Sequence, residues 1–256
     1  MSATAATAPA LAPLTRPGLG RLTQVELRKM VDTRAGFWLL LSVGALTVIA
    51  VIVLMLVGDA QDHDLRDMLS VAVAPSSILL PVVGILLVSS EWSQRTALIT
   101  FTLVPHRHRV LGAKLAAAVV LSVVALVVCL VVAVLGTAIS APGLEHSWSL
   151  PVGFLFQVAI FLTTSLITGV AFGALFLSSA PAIVLSFVLP LGWSAVGSIP
   201  ALEGTARWLD GSRSLSPMTE HLMSGTEWAR AGTTLAVWMA LPLAIGLWRI
   251  LRSEIR

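Results

Sequence analysis

The groups with which this chain could do chemistry are few, and most kinds of chemistry can be set aside. The 256 residues hold 16 Lys and Arg, 13 Asp and Glu, and five His. A phosphate-binding loop needs Gly-Lys followed by Ser or Thr. The two lysines, Lys29 and Lys114, precede Met30 and Leu115, so no such nucleotide site exists in the sequence. Serines are plentiful in the apolar runs, but no histidine or carboxylate lies within those runs to activate one as a nucleophile. The same lack argues against a proton antiporter, which keeps ionisable groups inside the membrane. The "HRHR" stretch, His106 to Arg109, has ligand residue types, but its arginines oppose a cation and it reads as basic juxtamembrane surface. Asp59, Asp62 and Asp64 lack the glycine and terminal glutamate of a calcium loop. The lone cysteine, Cys129, excludes an intrachain disulfide and reads as a small buried apolar residue. No catalytic, metal or cofactor site is expected in this chain. Nucleic acid is not expected as a partner either, because the net charge is only +3.

One stretch carries a different kind of pattern: "SSEWSQRTALITFTLVPHRHRVLGAKLAAAVV", Ser89 to Val120. Glu91 and Arg95 are four residues apart and can pair on a helix. Trp92, Thr96, Ile99 and Leu103 follow at 4-3-4 spacing and give one apolar-leaning face. Pro105 ends the helix, and Arg107, Arg109 and Lys114 return positive charge to the headgroups. Such a short helix, lying across the base of a membrane domain, suits docking of another protein.

The elements that must hold this stretch are membrane spans. The chain is 57% hydrophobic and 11% charged, with a mean hydropathy of +0.93, whereas soluble domains carry roughly 25% charged residues. A bilayer core needs about 20 apolar residues per helix. Runs of that kind are Trp38 to Val57, Leu69 to Ser90 and Leu115 to Ile139. The uncharged stretch from His146 to Leu202 is too long for one crossing and divides at "SSAPA", Ser178 to Ala182, into Val152 to Leu177 and Ala182 to Ile199. Gly232 to Trp248 is the sixth. The first run exceeds a signal-peptide core and is read as a retained span.

Charge sets the orientation. Twelve of the 16 Lys and Arg fall in the N-terminal segment, between spans two and three, or at the C-terminus. Both termini are therefore expected in the cytosol. Trp38, Trp92 and Trp248 fall at the inner boundary, and Trp148 and Trp228 at the outer one, where indole rings favour the interface. Residues 1–18, rich in Ala, Thr and Pro, are expected to be a disordered tail. "TQVE" from Thr23 fits a capping box, within a helix from about Leu22 to Arg34 that would put Arg21, Arg28 and Asp32 on one side and Leu27, Met30 and Val31 on the other. That segment, with Arg28, Lys29 and Arg34 as inner-leaflet anchors, is either an interfacial amphipathic helix or a solvated basic linker. The outer stretch 201–231 is expected to form short helices at the outer interface, as a lid.

Within the spans, Ser165, Gly169 and Gly173 place small residues on one face, for ordinary helix packing or for a dimer seam. Pro75, Pro81, Pro190 and Pro242 are hinges or static bends.

The order Glu91, Trp92, Thr96, Pro105, Arg107, Arg109, Val110, Leu111, Ala113, Lys114 resembles the first cytosolic loop of type-2 ABC exporter permeases. "VELRKMVDTRAGFWLLL", Val25 to Leu41, resembles the elbow before that family's first span. The six spans, both termini inside, and "LSP" at 215–217 agree. Arg95 stands where the family often has glycine. The resemblance implies an all-α fold: an elbow helix over 19–37, a six-span permease domain over 38–256 and a coupling helix between spans two and three. It implies a bacterial plasma-membrane permease that dimerises with a second copy or a sister chain. Two copies of a separate ATPase would supply ATP and Mg. Glu91 and Arg95 would fix the coupling helix, Trp92 would anchor it, and Thr96, Ile99, Leu103 and Pro105 complete it. Arg107, Arg109 and Lys114 would hold its exit at the inner leaflet. Cargo would pass between protomers along spans two and five, past Ser76, Ser77, Ser186 and Ser194. That apolar path with hydroxyls suits a drug, a peptide antibiotic or a lipid, although such hydroxyls also bond backbone carbonyls. The competing classes are a stand-alone ion-coupled carrier and a non-transport immunity or scaffold protein.

Cysteines introduced at Ser93 and Ser212 are expected to react with an impermeant maleimide from opposite sides of the membrane. Labelling from one side would refute the topology.

Overall fold

The computed structural model describes residues 18–58, 64–93, 107–140, 145–197, 199, 201–202, 204 and 208–252. Regular structure among the described residues is helical throughout. An opening helix α1 (Leu19–Asp32) leads into α2 (Arg34–Val57), α3 (Leu65–Ser93), α4 (Arg107–Ser140), α5 (Val152–Phe176) and α6 (Ser179–Val196). Two short helices, α7 (Gly211–Leu215) and α8 (Pro217–Glu220), precede α9 (Gly225–Arg252). Six of these, α2 to α6 and α9, are long and apolar enough to cross a membrane. The chain is a multi-pass membrane protein of the all-α class. The expected disordered tail lies outside the described residues apart from Gly18.

The helices outrun the apolar windows at their charged ends: α3 continues to Ser93 and α4 begins at Arg107. Hydropathy marks the stretch that suits lipid, whereas a helix extends as far as its hydrogen bonds do. The same distinction corrects the N-terminus. The helix expected from about Leu22 begins at Leu19, so Thr23 is not its cap; the Thr23 hydroxyl donates to the Leu19 carbonyl at 3.0 Å. The chain breaks at Thr33 instead of running on to Arg34. The Thr33 hydroxyl accepts from the Gly36 amide at 3.2 Å and caps α2. Of the residues assigned to the apolar face of α1, Met30 is buried and Leu27 half-buried, but Val31 is exposed.

The turn expected at Ser178 to Ala182 is tighter than that. Leu177 adopts the left-handed conformation (φ 54°) and its amide donates to the Gly173 carbonyl, ending α5. A left-handed leucine is unusual and is held here by helices on both sides. Pro181 falls in the first turn of α6, where a missing N–H leaves no bond unmade. Near Pro242, α9 widens into a π turn over Ala236–Ala240, with the Leu241 amide donating to the Ala236 carbonyl five residues back. The wider turn accommodates the proline ring, which would otherwise collide with the preceding turn.

Helix α3 is the centre of the bundle. Ala74 and Ile78 are its only exposed residues among those described, and α2, α4 and α5 surround it. Its contact with α5 is backbone against backbone. A methyl at Gly84 would collide with the Leu166 carbonyl, and one at Gly169 with the Pro81 carbonyl. At Gly173 it would stand 2.9 Å from the Ile85 carbonyl oxygen. The small-residue face of Gly169 and Gly173 is thus an intrachain seam, which overturns the dimer-seam alternative; Ser165 is half-buried beside it. Between α2, α3 and α4 lies a small polar knot. Thr47 donates to the Ala72 carbonyl at 3.2 Å and the Cys129 thiol to the same oxygen at 3.5 Å. Ser76 lies 3.9 Å from the Cys129 sulfur.

The segment expected to rest on the outer interface is docked into the bundle. Met218 and Pro217 of α8 are buried. Arg66 donates to the Glu220 carbonyl and its guanidinium lies over the Phe154 ring at 5.2 Å. The buried Gln157 donates to the His221 carbonyl at 2.8 Å and accepts from the Met223 amide at 3.0 Å. A side-chain amide so placed pairs with backbone as a strand would, which is how irregular chain is satisfied away from water.

Gly169→Ala is expected to destabilise the protein by about 1–3 kcal/mol through overpacking of the α3–α5 seam. Gly192→Ala on α6, where an added methyl meets nothing within 4 Å, is expected to shift stability by no more than about 1 kcal/mol. Thermal unfolding in detergent, read by circular dichroism, compares the two.

Candidate functional site

At the end of the bundle that carries α1, three helices bring four charged side chains into one ring. Glu26 and Lys29 come from α1, Glu91 from the last turn of α3, and Lys114 from the third turn of α4. The inward side of α1 is Leu22, Thr23, Glu26, Leu27 and Met30, a 1-3-1-3 spacing that gives one helical face. Glu26 is therefore pressed against the bundle, with Lys29 at the margin, while Arg21, Arg28 and Asp32 are exposed. Thr33 and the buried Gly36 let the chain turn sharply from α1 into α2, so α1 can lie against α4.

The ring alternates acid and base. Lys29 Nζ lies 2.7 Å from Glu26 Oε1 and 2.5 Å from Glu91 Oε1. Lys114 Nζ lies 2.6 Å from Glu26 Oε2 and 3.3 Å from Glu91 Oε2. Lys114 makes a third bond, to the Leu87 carbonyl at 2.8 Å. An ammonium has three donors, and here each meets an oxygen. It also sits at the C-terminal turn of α3, the negative end of that helix dipole. Glu26, Glu91 and Lys114 are 4%, 5% and 3% exposed, so the charges are out of solvent and the four sum to zero.

Both lysines of the chain are in this ring. Lysine presents a compact charge with three diverging donors, whereas arginine presents a flat fork suited to one carboxylate. Three acceptors from two helices call for the former. Burial acts against the charge of Lys29, but Glu26 and Glu91 outweigh it and hold its pKa above the ordinary 10.5. The stabilisation from Lys29 is then fully present below pH 10.5 and is lost as pH rises through the raised value.

Buried ion pairs gain little net stability over apolar packing, but removing one partner strands a charge. The ring therefore acts as a register device: it fixes how α1, α3 and α4 sit together.

Other expected site residues fall elsewhere. Trp92 is half-buried against the main core. Arg95, Thr96, Ile99, Leu103 and Pro105 lie outside the described residues, as does the expected pairing of Arg95 with Glu91. Glu91 is turned inward to the two lysines. Lys114, assigned to the headgroups, is buried instead, because two carboxylates and a carbonyl satisfy it within the protein. Arg28 and Arg34 are exposed and Arg109 half-buried, while Arg107 donates to the Ile250 carbonyl at 2.7 Å and ties α4 to α9. The four serines lie on two helices, Ser76 and Ser77 on α3 and Ser186 and Ser194 on α6. Ser76 is fully buried against Cys129. Ser77 and Ser186 donate to Ala74 and Ile183 carbonyls of their own helices at 2.7 and 2.8 Å, and Ser194 is half-buried on α6.

Glu26 was not foreseen as a ring member. The available signal was the confinement of the two lysines to the edges of apolar runs, with Lys114 set among Gly112, Ala113, Ala116 and Ala117. Such small neighbours let another helix approach a lysine closely.

No protein-family model matches the chain, and no curated protein matches it.

Lys114→Met alone is expected to cost about 3–5 kcal/mol, and Lys114→Met with Glu26→Leu less than the sum of the two single changes. Denaturant or thermal unfolding of the four variants measures the coupling. Above pH 10.5 the wild type should lose stability more steeply than Lys29→Met; parallel curves would remove Lys29 from the ring's energetics.

Proposed function

We propose that the chain is the membrane-spanning permease subunit of a type-2 ABC exporter, driven by a separate ATPase. The observation that carries this is the ionic ring. It ties α1 to both helices that bracket residues 94–106, α3 ending at Ser93 and α4 beginning at Arg107. A partner pressing on that loop would move α1, α3 and α4 as one piece. Glu91 and Lys114 are then positioning residues that transmit the push, and the contact with the ATPase falls to Arg95, Thr96, Ile99 and Leu103. The α1 end is the cytosolic one, in keeping with its Lys and Arg, and α1 serves as the elbow helix.

The second permease copy is assigned to α6. Only Ala182 of that helix is buried within its own chain, and α6 is among the least apolar of the six. Helices left to lipid alone, such as the outer faces of α2 and α4, are more apolar. Gly192, where an added methyl meets nothing within 4 Å, leaves room for a partner helix to approach closely. The cargo path narrows to α6, because α3 is enclosed by its own chain. A hydrophobic or amphipathic cargo suits walls of this kind.

Purification from native membranes in mild detergent, without crosslinker, is expected to bring down a stoichiometric ATPase subunit with a phosphate loop. Arg95→Glu should weaken that association by about tenfold through charge reversal without altering the unfolding transition. A stable permease that reproducibly comes alone would favour a stand-alone ion-coupled carrier. An ATPase that binds Arg95→Glu unchanged would remove the coupling role of the loop.

A further inference from the structure

At the end of the bundle opposite the ionic ring, a cleft of about 620 Å³ opens on the flank of α9. Gly204, Trp208, Leu209, Thr233, Ala236 and Val237 line it. Its size lies within the range of about 300–1,000 Å³ typical of small-molecule sites. Its lining is apolar because the nearby polar groups are used up internally. Thr233 and Thr234 donate to the Trp208 carbonyl at 3.1 and 2.9 Å, and Trp238 Nε1 donates to the Leu209 carbonyl at 2.8 Å. Ala236 and Val237 open the π turn of α9, so the cleft coincides with the one place where that helix changes its pitch.

A cation, Arg230, stands beside this apolar slot. Arg230 is one turn before Thr233 on α9, and its guanidinium carbon lies 5.9 Å from the centre of the Trp208 ring, a wall of the cleft. Arg230 Nε is buried without a hydrogen-bond partner among the described residues, and Arg230 makes no ion pair among them. Asp210, next to Leu209, does not serve it. That carboxylate is buried and accepts from the Ser212 amide and hydroxyl, the Arg213 amide and the Arg213 side chain. Trp208 and Val237 are 40% and 38% exposed, so the cleft faces out of the bundle, where a membrane chain meets lipid.

We propose that this cleft is a binding site for an anionic phospholipid of the surrounding bilayer. One acyl chain lies between Trp208, Ala236 and Val237, and the phosphate meets the terminal nitrogens of the Arg230 guanidinium. Arginine is suited to this because its fork matches two phosphate oxygens. The Trp208 ring marks the headgroup boundary, with its face toward the guanidinium. The site stands whether or not the chain works with an ATPase.

The test uses the full chain in phosphatidylcholine nanodiscs. These are doped with photoactivatable phosphatidylglycerol or with its phosphatidylcholine counterpart at equal mole fraction. Adducts are mapped by peptide mass spectrometry. Residues 208–237 are expected to label with the anionic probe about tenfold more than with the neutral one, as one charge-assisted contact allows. Arg230→Gln should bring the two probes to parity. Ala236→Phe should remove labelling of this segment by both, and Val237→Trp checks the same filling at the neighbouring exposed position. Equal labelling by the two probes in the wild type would overturn the anionic preference. Undiminished labelling in both filled variants would show ordinary annular lipid and overturn the site.

Discussion

The backbone contact between α3 and α5 is the constraint on which the rest of this bundle depends. In lipid, two helices gain nothing by hiding apolar surface from water, so association rests on close fit and on hydrogen bonds. Gly84, Gly169 and Gly173 let the two backbones touch, and α3 becomes the axis around which α2, α4 and α5 are arranged. Several of the polar features hang on that axis. The Thr47–Ala72–Cys129 knot, the Arg66 and Gln157 staples and the ionic ring all tie a neighbour to α3 or α5.

The ring and the docked outer segment play matching roles at the two ends. At one end, charges compensate one another where α1 crosses the base of the bundle. At the other, Arg66, Gln157 and Ser70 reach to the carbonyls of Glu220, His221 and Thr219 and hold irregular chain in place. The first arrangement contains titratable groups and three helices. The second contains backbone acceptors and stays closed at any ordinary pH. Of the helices attached to the ring, α3 and α4 are long and apolar enough to cross a membrane.

Much of this was legible in the sequence. The six spans followed from runs of uncharged residues, because bilayer thickness sets a length that chance seldom meets. The small residues of α5 announced a close contact, but not with which helix, since hydropathy carries no information on neighbours. The ring was illegible for a related reason. Glu26 is 88 residues from Lys114, and nothing local distinguishes a glutamate that caps a helix from one that meets a lysine of another. A charge at the end of an apolar run reads equally as a headgroup anchor or a buried partner; Arg34 turned out exposed and Lys114 buried. Ser77 and Ser186 donate to carbonyls of their own helices, the alternative that the sequence left open for hydroxyls in a span.

The π turn of α9 has a consequence for rotational phase. One residue of an α-helix advances the side-chain direction by about 100°, and a single wide turn shifts everything after it relative to everything before. The first half of α9 is phased so that Thr233, Thr234 and Trp238 face the 208–209 segment. The second half is phased so that Gly246 meets Ala174, Ile250 meets Arg107 and Arg249 meets Leu175. A regular helix could satisfy one of these sets, not both. The widened turn is what allows a single span to be correctly oriented at both faces of the membrane.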